Sequence, residues 1–96
     1  MHARVLTMNV GPGQRDRMLA LADESLRLNK SLPGFVSANY FVFDDAKGDY
    51  GSVTLWNSAA DANAAGETLR PWLQEKIGTL LSAAPVVRHA EVYEPS

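Results

Sequence analysis

Seven side chains in this sequence suit the binding of a small planar molecule: Trp56 and Trp72, with the amides and hydroxyls of Asn9, Ser37, Asn39, Ser52 and Thr54. Ligand pockets combine an aromatic or aliphatic wall with a few placed polar groups that orient the ligand. Other chemistries lack their parts. There is no cysteine, hence no thiolate nucleophile, disulfide or thiolate metal site. His89 and Glu91 share one strand face and would supply two metal ligands at most, one short of a usable site. No serine stands in a recognisable nucleophile elbow, so no catalytic residue is assigned. Gly11-Pro12-Gly13 opens like a phosphate loop, but Pro12 has no N–H to offer and Asp16 stands where a third glycine is wanted. No cofactor and no metal is therefore expected.

The elements that must hold these residues follow from periodicity. Ala3–Asn9 reads as a strand and Gly11-Pro12-Gly13 stops it. From Gln14, Met18, Leu21, Ala22 and Leu26 form one helical stripe, which Leu32-Pro33-Gly34 ends. Phe35–Phe43 and Tyr50–Trp56 read as two strands of a hairpin across the polar turn Asp44–Asp49. Ser58 with Asp61 resembles a capping box. A second helical stripe runs from Ala62 to Ala84. Gly66 and Pro71 within it predict two helical pieces, with Pro71 in the first turn of the second. Pro85 ends that segment, and Val86–Tyr93 is the last strand. The order β-α-β-β-α-β predicts an α+β, ferredoxin-like fold: a four-stranded antiparallel sheet with both helices on one face.

Side chains alternate across the hairpin. Pairing Phe43 with Tyr50 sets Phe41 opposite Ser52, Asn39 opposite Thr54 and Ser37 opposite Trp56. That register places Ser37, Asn39, Ser52, Thr54 and Trp56 under the second helix, within reach of Trp72, with Asn9 closing the polar side. The other face carries Val36, Ala38, Tyr40, Val42, Gly51, Val53 and Leu55. Both sets are too apolar for water, and one layer of helices covers only one of them. The remaining face predicts a homodimer.

Composition excludes several partners. The 96 residues, 46% hydrophobic and with net charge −2, read as one domain spanning 1–96. A weakly acidic chain has no electrostatic reason to bind nucleic acid or anionic membrane. Lys47-Gly48-Asp49-Tyr50-Gly51-Ser52-Val53 resembles an RNA-binding octapeptide only superficially, since Ser52 and Leu6 stand where stacking aromatics belong. No apolar run approaches the ~20 residues of a membrane span and no leader is visible, so a cytoplasmic protein is expected.

Pro33-Gly34-Phe35 opening the second strand, and Trp56-Asn57-Ser58 closing the third before an Ala-rich helix, resemble the antibiotic biosynthesis monooxygenase family of the dimeric α/β-barrel superfamily. The strand and helix spacing is similar over essentially the whole chain. The resemblance implies a homodimer with face-to-face sheets, a pocket in each subunit between sheet and helices, and oxidation of phenolic or anthrone-like molecules by O2 without metal or flavin. It carries Trp56 over cleanly. Ser52 stands where the family has an amide residue, Ala62 where it has a tyrosine, and Lys76 near its helical basic residue. The second helix has no histidine, which separates the chain from haem-degrading relatives. Two functions are expected: a cofactor-independent monooxygenase acting on a small aromatic, phenolic or quinol-like metabolite, or a non-catalytic dimeric module that binds a small hydrophobic ligand.

Overall fold

The computed structural model describes residues 1–95. Its elements are β1 (His2–Asn9), α1 (Arg15–Lys30), β2 (Phe35–Asp44), β3 (Asp49–Trp56), α2 (Ala59–Ile77) and β4 (Val86–Glu91). The strands form one antiparallel sheet in the order β2-β3-β1-β4, and α1 and α2 pack on one side of it. This is the expected ferredoxin-like α+β topology. Two turns depend on glycine. Gly48 (φ +82°) closes the hairpin against the backbone of Gly11, where a Cβ would meet the Gly11 carbonyl oxygen at 2.0 Å. Gly34 (φ +78°) leads into β2 against the Asp61 side chain, where a Cβ would also collide.

α2 is one continuous helix, not two pieces, with Pro71 in its interior. Pro71 lies on the exposed side, while Leu69 before it and Trp72, Leu73 and Ile77 after it hold both halves of the helix against the sheet, in two hydrophobic clusters. The hydrogen bond that proline removes therefore leaves a carbonyl facing water, and packing outweighs the local penalty. Ser58 caps the helix by accepting from the Asp61 N–H at 3.1 Å. β4 ends at Glu91, two residues before the expected end, and is exposed along its length at the sheet edge.

The hairpin register differs from the expected one. β2 pairs Ala38 with Thr54, Tyr40 with Ser52 and Val42 with Tyr50. Register shifts between Phe35 and Ser37, and between Val42 and Asp44, bracket this stretch. The first lets Phe35 face the helices, where it meets Trp56 edge-on with ring centroids 5.5 Å apart. After it the parity of β2 is reversed. Ala38, Tyr40 and Val42 face the helices with Ser52, Thr54 and Trp56, while Ser37 and Asn39 sit opposite Leu55 and Val53 on the outer face.

The core beneath the helices is divided. One hydrophobic cluster gathers Val10, Met18, Leu21, Tyr50 and Ile77. The other gathers Trp56, Ala62, Ala65 and Leu69. Polar side chains lie between them.

Candidate functional site

Between the sheet and the helices lie two adjoining chambers. The larger, of about 90 Å³, is walled mainly by Leu6, Met8, Met18, Leu21, Tyr40 and Trp72. The smaller, of about 30 Å³, brings the polar side chains of Arg4, Ser25, Asn29, Ser52 and Thr54 into its wall beside Leu69. Leu6, Ser25, Ser52, Trp72 and Leu73 line both, so the two form one apolar-to-polar cleft.

β1 and α1 supply the polar end. Arg4, Leu6 and Met8 alternate onto the helix side of β1, so a guanidinium precedes the two hydrocarbon side chains in a row that His2 begins. On α1, Ser25 and Asn29 follow Met18 and Leu21 along the inward stripe. Asn29 donates to the Tyr40 hydroxyl at 3.1 Å, and that hydroxyl donates to Ser25 Oγ at 3.0 Å. Two buried polar atoms have no partner: Arg4 Nε and Asn29 Oδ1. Burial, and secondarily the nearby Arg70 guanidinium, push the Arg4 pKa below the ordinary arginine value.

The residues expected to form a site separate into three groups. Ser52, Thr54 and Trp72 line the cleft. Trp56 faces the same side but is fully buried in the second cluster and lines neither chamber. Its indole N–H donates to Thr54 Oγ1 at 2.9 Å, which satisfies it internally. Ser37 and Asn39 are on the opposite face of the sheet, so a ligand held between Asn39 and Trp56 is ruled out by the parity of β2. Asn9 is outside the cleft. It ties the end of β1 to the hairpin turn, donating to the Lys47 carbonyl at 2.8 Å and to Asp49 Oδ1 at 2.6 Å, while accepting from Ser82 Oγ at 2.7 Å.

Arg4, Ser25, Asn29 and Tyr40 were missed as site residues. Their signal was a polar group at the inward phase of an apolar pattern: Arg4 two residues before Leu6, and Asn29 eight after Leu21. Tyr40 comes to the helix side because the parity of β2 reverses after Phe35. Among the described residues no three His, Cys, Asp or Glu side chains are grouped to hold a metal, and no helix is long and apolar enough to cross a membrane.

An antiparallel ferredoxin-like sheet with a cleft under its two helices defines the class of fold. No family model matches the chain, and no curated protein sequence matches it. Solved structures do match. The fold is that of the antibiotic biosynthesis monooxygenases: a structure of that name superposes with TM-score 0.78 at 17% identity, covering 98% of this chain and 100% of the other. A cofactor-independent oxygenase from Streptomyces nogalater gives 0.75 at 14%, covering 98% and 94%. A monooxygenase from Streptomyces coelicolor, in complex with the ligand nanaomycin D, gives 0.71 at 23%, covering 99% and 92%.

Proposed function

We propose that the chain is a cofactor-independent monooxygenase that oxidises a small aromatic, phenolic or quinol-like metabolite with O2 inside this cleft, and that it works as a homodimer. The observation that carries the reading is the cleft itself, an apolar chamber ending in hydrogen-bonding groups, in a fold shared with a cofactor-independent oxygenase. An electron-rich enol or phenol becomes its own reductant for O2 once it loses a proton. In an anthrone, the carbanion carbon passes an electron pair to O2, one electron at a time. A C–O bond forms and protonation gives the hydroperoxide. The remaining C–H proton then leaves, the O–O bond breaks, and one water departs to leave the quinone carbonyl. Anthrone plus O2 thus becomes anthraquinone plus water. The protein's task is a dry, shaped cavity and donors for the developing oxyanion.

Oxygen uptake with hydroquinones and anthrones tests this. Uptake above the uncatalysed rate supports it; no acceleration with any of them overturns it. One observation favours the non-catalytic alternative, a dimeric module that binds a small hydrophobic ligand: among the described residues no carboxylate, imidazole or amine lines either chamber to take the substrate's proton.

The homodimer rests on the outer sheet face. Phe41 stacks on Phe43 there with centroids 5.8 Å apart, beside Val53 and Leu55, and no element of the chain covers them. Light scattering at micromolar concentration should give about twice the 10.4 kDa monomer. Val53→Asp would put a charge in the seam and dissociate it. A monomeric wild type, or a Val53→Asp variant still dimeric and equally stable, would count against the seam.

A further inference from the structure

We propose that the cleft selects a ligand bearing an oxyanion on a planar apolar body, with the oxyanion paired to the Arg4 guanidinium and accepted at the polar end beside Asn29 and Ser52. The inference rests on the cleft being a ligand site, as above, and adds the charge of what enters it.

Three observations converge. Arg4 is only 7% exposed and Asn29 only 1% exposed, and each keeps a buried polar atom without a partner. Arginines at such depth are ordinarily paired with a carboxylate, because an uncompensated buried charge is costly. Among the described residues no salt bridge reaches Arg4, and no Asp or Glu lines either chamber. The charges acting on Arg4 are of its own sign: Arg70 depresses its pKa after burial does, and Arg4 in turn depresses that of His89, its cross-strand neighbour.

The fold makes room for this charge. Gly66 of α2 passes directly over Arg4, where a Cβ would stand 3.4 Å from Nε. The hydrocarbon chamber joins the same space through Leu6, Trp72 and Leu73. A planar ring in the larger chamber therefore directs a substituent at the guanidinium. A phenolate and a carboxylate share the required chemistry. For a phenol the pairing also answers the missing base, since the cation holds the ligand ionised.

4-Nitrophenol is the probe, because its phenolate absorbs apart from the neutral phenol. Bound to the wild-type protein, its titration should move to lower pH by about 1–3 units. Benzoate should compete at least tenfold better than its neutral isostere benzamide if carboxylates are also accepted; competition by phenols alone would assign the site to phenolates. Arg4→Met should lose the titration shift while retaining neutral ligands, and Arg4→Lys should retain part of it. Unshifted titration of bound 4-nitrophenol in the wild type overturns the proposal whatever the variants do. So does a shift that survives Arg4→Met, or the absence of binding by 4-nitrophenol and benzoate alike. Oxygen uptake is not read here, so failure of the oxygenase reading leaves this result standing.

Discussion

The two tryptophans mark opposite uses of the same layer between sheet and helices. Trp56 is sealed among Ala62, Ala65 and Leu69, with Phe35 against its ring and Thr54 taking its N–H. Trp72 is half-buried and walls a cleft whose far end holds an unpaired guanidinium and an unpaired amide oxygen. At the first end every group is satisfied, which is how stability is built. At the second, polar groups are held ready and unsatisfied at a cost in stability, a pattern that belongs to binding sites. An aromatic in a recognisable motif can thus be packing, while one without a motif lines the cavity.

The largest effect should separate the tryptophans. Trp56→Ala should destabilise the fold by about 3–5 kcal/mol, as truncation of a fully buried aromatic does. Trp72→Ala should cost less in chemical denaturation and abolish 4-nitrophenol binding. Equal losses of stability would erase the distinction between the two ends.

Arg4→Met tests the cost of the unsatisfied end. Removing an unpaired buried charge while keeping an unbranched apolar stem should raise stability by on the order of 1 kcal/mol. A drop would show that Arg4 holds the fold together. Gly66→Ala should gain about 0.5–1 kcal/mol from helix propensity, because the added methyl meets Arg4 Nε at ordinary contact distance. The same methyl sits against the Nε of Arg4, the group proposed to hold the anion, so a thermal melt and a benzoate titration should move in opposite directions.

The smallest effect concerns pH. Burial first, then Arg4 and His2, hold His89 below the ordinary histidine value. The folded state then binds fewer protons than the unfolded one as pH falls through about 6.5, so stability should decline toward acid and be unaffected above neutrality. His89→Asn should flatten that decline; an unchanged slope would assign it to other groups.

Much of this architecture was legible from local pattern. Alternating and helical periods, Pro33-Gly34 and the Ser58 cap set the six elements and their order, because those signals are short-range; at Pro71 packing overrode the local signal and kept α2 in one piece. Ser52 and Thr54 face the helices because β3 is regular, and Trp72 faces the sheet because α2 is amphipathic. The parity of β2 was not legible. Val36-Ala38-Tyr40-Val42 is apolar throughout and Phe35-Ser37-Asn39-Phe41 half apolar, and since both faces of the sheet need cover, alternation alone did not say which phase the helices take. The choice fell to a register shift next to Phe35, set by that ring's packing on Trp56. Nor could the sequence bury Arg4. A single arginine near a strand start reads as surface until the sheet order puts β1 second from the edge beneath Gly66, with no salt bridge to Arg4 among the described residues. Backbone preference acts over a few residues, whereas the surroundings of a charge are set by elements more than sixty residues apart, which only the tertiary structure brings together.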